Sequence, residues 1–336
     1  MERLQSLLAT RRRDVLLGIG DDAAVVAPAG RLAVTSDVLV ENADFRKDAD
    51  PRRLGRKTLN VNLSDLAAMG ATPLWALLTL GMPPRTKPAW FEAFVEGIRE
   101  AASEYGVVVV GGDLSASALL FASVTALGRV PEDGFLTRCG AGPGDALFIS
   151  GTLGASAAGW RLLEAGFRLG PDGKVRAPKG RRLPPPRAAE VRRLIRHQID
   201  PRPMVDLGVA LAQGGLASAA IDVSDGLARD LHRLCRASGV GATLVRELLP
   251  VDSALFDLTK LLKLDPVAAA LYGGEDFGLL FAVPPRKVAA VERLSGRFAL
   301  RHIGAVREAG AGRRVLLSEG GRLTPIPDAG FDHFTA

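Results

Sequence analysis

The sequence predicts an α/β protein of two domains, and three observations carry that expectation. Apolar strand-like runs alternate with helix-like segments through both halves of the chain. A turn-rich stretch at Arg138–Gly144, RCGAGPG, separates the halves, after which DALFISGTLG restarts a strand-to-helix pattern. With 336 residues and 47% hydrophobic content, the chain can bury a core in each of two domains. The boundary is therefore expected near residue 140, giving domains over 1–140 and 141–336.

In the first half, strands are expected at Val15–Ile19, Leu32–Thr35, Leu74–Leu80, Val107–Val110 and Leu119–Leu127. Asp50-Pro51 supplies an N-cap and a first-turn proline, so a helix starts there and runs to Gly70. On it Leu54, Val61, Asp65 and Ala68 share the inward face, where a carboxylate is costly unless it is paired, hydrogen-bonded or metal-bound. A second helix over Pro88–Tyr105 carries Trp90, Phe91, Phe94, Ile98 and Ala101 as its core stripe. In the second half, strands are expected at Ala219–Val223, Ala242–Val245, Leu279–Val283, His302–Val306 and Arg314–Leu317. A helix over Gly226–Ala237 buries Leu227, Leu231 and Leu234 while Arg229, Arg233 and Arg236 take other faces, and Asp225 stands at its N-cap position.

Composition narrows the function. No uncharged run of about 18 apolar residues occurs and the N-terminus lacks a leader pattern, so neither a membrane span nor secretion is expected. Cys139 and Cys235 show no framework spacing, which suits a reduced cytoplasmic setting. His197, His232, His302 and His333 form no HExxH pair, which argues against an imidazole zinc site. The net charge of +6 and pI of 9.7 would suit nucleic acid, but aromatic residues make up only 5% and no RNP or helix-turn-helix signature is present. The basic excess lies between Arg168 and Arg196, where ten Lys/Arg meet only Asp172 and Glu190 amid five prolines. That segment reads as a solvated loop and helix face, with a phosphate-guiding lid or a nucleic-acid footprint as its sharper alternatives.

Six times a strand-like run breaks into Gly, Ser or Thr followed by an acidic residue: GIGDDAAVV, LAVTSDVLV, NVNLSDLAA, VVVVGGDLS, AAIDVSDGL and LYGGEDFGL. The pattern predicts carboxylates delivered to chain turns. Asp22, Asp37, Asp65, Asp113, Asp222 and Asp225 would repel one another if gathered, so cations must join them. Magnesium is the fitting ion, since it takes oxygen ligands and is held by a few carboxylates together with substrate phosphates. No Walker loop, GxGxxG fingerprint or protein-kinase motif set is present, and SGTLGASAAG at Ser150–Gly159 admits either a phosphate cradle or a plain strand–helix turn. None of these six acidic motifs contains a histidine, which suits an acceptor that is already a phosphate monoester and needs no catalytic base.

The ordered set GIGDDAA, VTSD, NLSDLAAMGATP, GGD, LTRCGAGPGD, IDVSDGL, YGGED and GFDHF closely resembles the thiamine-monophosphate kinase family, within the aminoimidazole ribonucleotide synthetase and selenophosphate synthetase superfamily. The resemblance implies an α/β (α+β) fold, with an N-terminal mixed-sheet domain that binds ATP and magnesium and forms a dimer barrel. A C-terminal α/β sandwich domain would complete the site. It further implies transfer of the ATP γ-phosphoryl to thiamine monophosphate with several magnesium ions and no catalytic base, in a cytoplasmic homodimer that binds neither membrane nor nucleic acid.

By motif, Asp22, Thr35, Ser36, Asp37, Asp65, Asp113, Asp222 and Asp225 are implied as metal ligands, and Tyr105, Gly112, Asp113, Arg138 and Ser224 as nucleotide contacts. Asp44, Glu275 and Phe331 are implied at the substrate: Glu275 to accept a hydrogen bond from the aminopyrimidine, Phe331 to stack on a ring of thiamine. Asp44, in ENADFR, stands where the family usually carries a histidine. Selenophosphate synthetase would need a reactive cysteine near the N-terminus, and none precedes Cys139.

Overall fold

The structure, a computed structural model, describes residues 7–8, 12–17, 19, 23–170, 172–180, 182–310 and 314–332. It divides into two compact units, Met1–Phe135 with Val205–Gln213, and Leu136–Met204 with Gly214–Ala336. Residues 205–213, inside the expected second domain, thus belong to the first unit.

In the first unit β1 (Val15–Leu17) and β2 (Val25–Val26) form an antiparallel ribbon. Strands β3 (Leu32–Val40), β4 (Thr72–Met82), β5 (Val108–Ala116) and β6 (Phe121–Arg129) form a four-stranded sheet in the order β3-β6-β4-β5. The parallel pair β4/β5 is joined by a crossover helix, as parallel strands require, and the other pairs are antiparallel. Helix α1 (Pro51–Ala68) starts as expected, with the Asp50 carboxylate accepting from Arg53 N at 3.0 Å and proline in the first turn. Helix α2 (Pro88–Tyr105) ends at Gly106, whose φ of 68° places it in the left-handed cap conformation.

Strand alternation divides the sheet into two faces. Thr35, Asp37 and Leu39 share rows with Ala126, Val124 and Ala122 on β6 and with Ala76, Leu78 and Leu80 on β4. The β6 and β4 residues of these rows are buried, on the face that packs against α1. Val34, Ser36 and Val38 lie on the opposite face with Leu127, Thr125 and Ser123. At one end of that face Trp75, Val108 and Val110 are covered by Val15 and Val26 of the β1–β2 ribbon. Further along, Val34, Val38 and Leu77 are solvent-exposed.

Helix α1 is buried along most of its length because α2 and α5 (Val205–Gln213) also pack on it. A Cβ on Gly55 would fall 2.0 Å from Phe94 O, and one on Gly97 only 1.8 Å from Arg52 O, so the α1–α2 crossing brings backbone against backbone. Arg56–Glu104 at 2.7 Å and Arg52–Glu100 join the two helices at the surface. Leu59, Leu63 and Leu66 are each at most 1% exposed, and burial of such a side chain stabilises by about 1.5–3 kcal/mol.

The second unit is built on a seven-stranded mixed sheet in the order β10-β12-β7-β13-β11-β14-β15. Its strands are β7 (Ala146–Ser150), β10 (Ala219–Asp222), β11 (Gly241–Val245), β12 (Leu279–Val283), β13 (Leu300–Arg307), β14 (Val315–Glu319) and β15 (Arg322–Pro325). Helix α6 (Leu227–Ser238) buries Leu227, Leu231, Leu234 and Cys235 against Ile221, Ile149, Leu244 and Ile303. A second cluster joins α3 (Ala155–Glu164), α4 (Pro185–Ile199) and α7 (Ser253–Leu262) through Leu162, Phe167, Leu194, Ile195, Leu255 and Leu258. The short α8 (Pro266–Tyr272) precedes the GGEDFG segment, and β8 (Arg168–Leu169) pairs with β9 (Val175–Arg176) ahead of α4.

Candidate functional site

In the first unit, strand and helix bring Thr35, Asp37 and Asp65 together. Thr35 Oγ1 donates to Asp65 Oδ2 at 2.6 Å, and Asp37 N donates to Asn62 Oδ1 at 2.9 Å. Asn62, fully buried one turn before Asp65, also donates to Thr58 O at 3.1 Å. It escaped the motif reading, although its spacing of three residues from Asp65 puts it on the same helix face. Ser36 points the other way, its hydroxyl 3.2 Å from Val124 O and 3.1 Å from Thr125 Oγ1.

Asp113 is exposed on β5, in the row Val38–Ser123–Thr79–Asp113, on the face away from α1. Strands β6 and β4 stand between it and β3. Beside it Gly112 has φ 149°, and a Cβ there would lie 1.8 Å from Leu78 O, so only glycine fits. Tyr105 closes α2, and the Gly106 carbonyl that follows accepts from Arg12 Nη1 at 3.0 Å. Asp22 lies outside the described residues.

Asp37 and Asp113, expected at turns, lie instead inside β3 and β5, which run on to residues 40 and 116. Both are edge strands, so polar side chains there keep one flank open. Asp44 does occupy a turn: its Oδ2 accepts from Val40 N at 2.8 Å, and its carbonyl accepts from the buried Lys57 Nζ at 3.3 Å.

In the second unit, Asp222 ends β10 at 2% exposure, and Ser224 and Asp225 form the turn into α6. Asp225 does not cap that helix. Its Oδ2 pairs with Arg233 at 2.5 Å, and the carboxylate that holds the turn belongs to Asp230, fully buried in the first turn of α6. Asp230 Oδ2 accepts from Ser224 N at 3.1 Å and Asp225 N at 3.0 Å, while its Oδ1 accepts from Arg233 at 2.8 Å. Burial, reinforced by the Asp225 charge, pushes the Asp230 carboxyl up to about 6 in spite of Arg233. Asp230 was not singled out from sequence, although its place in the first turn after IDVSDG was visible there.

The same turn gathers two more segments. Ser224 O accepts from Glu275 N at 2.7 Å, and Asp225 O accepts from Phe331 N at 2.9 Å. Arg229 Nη1 donates to Phe331 O at 2.6 Å, and Phe331, 43% exposed, is not a core residue. Asp222, Ser224, Asp225, Glu275 and Phe331 are thus carried on interlinked backbone. Arg138, exposed at the junction, has its carbonyl held by Ser238 Oγ at 2.9 Å.

Two sequence alternatives take their bland form. The N-terminus of α3, inside SGTLGASAAG, is occupied by the buried Asp276 carboxylate, which accepts from Gly154 N at 2.6 Å and Ser156 N at 3.0 Å. In the basic segment Arg193 grips Asp252, the N-cap of α7, and Arg168 and Arg187 donate to the Leu163 and Asp257 carbonyls. There α4 buries Val191, Leu194 and Ile195 while most of its arginines face solvent.

All the donors brought together are hard oxygens, which fits magnesium rather than zinc. Among the described residues no three His, Cys, Asp or Glu side chains are close enough to hold an ion by themselves.

The chain matches the N-terminal domain of AIR synthase related proteins over residues 20–130 and their C-terminal domain over residues 142–316. This defines a two-domain protein of the AIR synthase related class. Thiamine-monophosphate kinase of Escherichia coli (strain K12) is 38% identical over 298 residues, covering 87% of this chain and 82% of that protein. The crystal structure of thiamine-monophosphate kinase from Stenotrophomonas maltophilia K279a superposes with a TM-score of 0.80 at 35% identity over 94% of each chain. AaThiL complexed with AMPPCP and TMP gives a TM-score of 0.76 at 31% identity, covering 99% of this chain and 95% of that one. The chain belongs to the thiamine-monophosphate kinase family.

Proposed function

We propose that this protein transfers the γ-phosphoryl group of ATP to thiamine monophosphate, giving thiamine diphosphate, by direct in-line displacement. The observation that carries the proposal is the match to a thiamine-monophosphate kinase over 87% of the chain, combined with the inward Asp65 carboxylate meeting the Thr35 hydroxyl at 2.6 Å. Magnesium would supply charge neutralisation and alignment of two anionic reactants. Asp22, Thr35, Ser36, Asp37, Asp65, Asp113, Asp222 and Asp225 would hold several such ions between them, as oxygen donors whose chemistry fits magnesium.

The other residues position the reactants. Tyr105, Gly112, Arg138 and Ser224 take the nucleotide, with the Arg138 guanidinium suited to phosphate oxygens. Glu275 and Phe331 take the acceptor's aminopyrimidine and ring system, and Asp44 borders it. No side chain need act as base, because the acceptor phosphate, with a second pKa of about 6, is largely dianionic at neutral pH. The first unit serves ATP, ions and dimerisation, the second completes the site, and the enzyme works in the cytoplasm.

Homodimerisation is supported by the exposed apolar face of Val34, Val38 and Leu77 and by the open edges β3 and β5. Three inter-strand spacings, about 14 Å, separate those edges, too far for Ser36–Asp37 and Asp113 of one chain to share an ion. A twofold dimer joining the β3 edge of one copy to the β5 edge of the other brings Ser36 and Asp113, which lie on the same face, beside each other, with Asp37 on the far face.

The test is a phosphoryl-acceptor screen with labelled ATP and magnesium, comparing thiamine monophosphate with thiamine and other phosphorylated metabolites. Label is expected in thiamine diphosphate alone, and a clear preference for another acceptor overturns the assignment. Mixing Ser36→Ala with Asp113→Asn, each inactive alone, tests the shared site. Random reassociation should restore about a quarter of wild-type activity, because half the dimers then carry one intact site of two. Restoration of nothing would put both groups in a single-chain site.

A further inference from the structure

Gln198, near the C-terminus of α4, is 2% exposed, although the helix around it is rich in arginine. Its Nε2 donates to Glu275 Oε2 at 2.5 Å, and its Oε1 accepts from the hydroxyl of Ser156, itself fully buried in the first turn of α3. The amide orientation follows from chemistry: a carboxylate only accepts, so the amide nitrogen must face Glu275 and the oxygen must face the serine. Ser156 N is in turn held by Asp276, the residue after Glu275. Glu275 and Asp276 are therefore braced against one scaffold, the start of α3 and the end of α4.

The braced segment is strained. Glu275 and Phe277 have φ of +63° and +49°, left-handed conformations that disfavour a side-chain-bearing residue and persist only where surroundings enforce them. Backbone bonds from Glu275 N to Ser224 O and from Phe277 N to Val223 O fix the main chain, but they leave the Glu275 side-chain torsions to other contacts. Gln198 supplies such a contact from a buried, two-point anchored amide.

We propose that Gln198, oriented by Ser156, is a positioning residue that aims the Glu275 carboxylate at the acceptor, so that preference for an amino-bearing heterocycle depends on α4. The proposal rests on Glu275 contacting the acceptor, as set out above. The basic α4 segment thereby acquires a role, since its arginines face solvent while its buried stripe carries an amide to the site.

The experiment measures KM for thiamine monophosphate, KM for ATP and kcat in Gln198→Met, Ser156→Ala and Glu275→Ala. Each is also assayed with the acceptor analogue in which oxygen replaces the pyrimidine amino group. Loss of a hydrogen bond to a charged group predicts an acceptor KM about tenfold higher in Gln198→Met and a few-fold higher in Ser156→Ala. KM for ATP should stay within about twofold, and discrimination between amino and oxo acceptors should shrink in parallel. If Glu275→Ala raises the acceptor KM while Gln198→Met and Ser156→Ala leave it unchanged, the positioning role is wrong and the acceptor site stands. If Glu275→Ala itself leaves the acceptor KM unchanged, the acceptor assignment fails and the positioning role with it. Should Gln198→Met fail to fold, Ser156→Ala carries the same comparison.

Discussion

Two strand-to-helix junctions of the second unit start alike and end in opposite roles. Between β7 and α3, the Gly154 and Ser156 amides are taken up by Asp276, a buried carboxylate more than a hundred residues away. Between β10 and α6, the Ser224 and Asp225 amides are taken up by Asp230, from the helix that follows. In the first junction a distant carboxylate fills the positive end of the helix and closes it to ligands. In the second, the carboxylate draws the turn back from within, Arg233 balances the charge, and the Ser224 and Asp225 side chains stay partly exposed. What a junction leaves open is thus set by where the carboxylate serving its amides comes from.

The contrast breaks most readily by deleting one carboxylate from each junction. Asp225→Ala should lower kcat/KM by about a thousandfold or more, on the order of 4 kcal/mol of transition-state stabilisation, with little change in the urea midpoint. Asp276→Ala should do the reverse, because two buried amides lose their acceptor. Its stability should fall by about 2–3 kcal/mol, with kcat of the folded fraction within a few-fold of wild type. Swapped outcomes, measured by urea unfolding and steady-state kinetics, would show that the roles of the two junctions have been exchanged.

The same contrast explains what could be read from the sequence. Helix bounds at Asp50-Pro51 and Pro88–Tyr105, the α6 stripe and strand Leu279–Val283 all rest on local signals, namely caps, prolines and periodicity, and each appears in place. The inward Asp65 was legible for the same reason, since helical spacing fixes its face. Local text could not tell that Asp37 and Asp113 sit on opposite faces and edges of one sheet, because strand order is a long-range property. Nor could it show Asp276 closing α3, Asp230 replacing Asp225 at the turn, or Gln198 reaching Glu275, since each pairing is made by tertiary packing. Residues 205–213 joined the first unit for a similar reason: Gly208 allows α5 to meet the Ala67 carbonyl, 2.0 Å from where its Cβ would lie.

The Asp230 junction is sharpened by pH. Its folded-state carboxyl, raised from 3.8 to about 6, binds a proton more tightly than the unfolded chain does, so stability falls as pH rises through that interval. The groups facing it, Asp225 and Arg233, pull in opposite directions, and burial outweighs the arginine. Asp230→Asn keeps an oxygen for the two amides and removes the titration. The wild type should therefore gain thermal stability over the variant as pH is lowered from about 7 to about 4. A difference in melting temperature that stays flat with pH would show that the carboxylate is held ionised by its partners.

Phe331 gives the smallest and most selective effect. Its backbone is clamped on both sides, by Asp225 O and by Arg229, so its position follows the turn. With Phe331 43% exposed, Phe331→Ala should barely alter the melting temperature. A ring stacked on the cationic thiazolium is worth about 0.5–2 kcal/mol, which predicts an acceptor KM raised about 2–30-fold with the ATP KM unchanged. Phe331→Trp should retain or improve acceptor binding, because the larger aromatic face attracts a cation more strongly. If alanine and tryptophan both leave the acceptor KM at the wild-type value, the β10–α6 turn serves phosphate and metal alone, and the acceptor ring lies elsewhere.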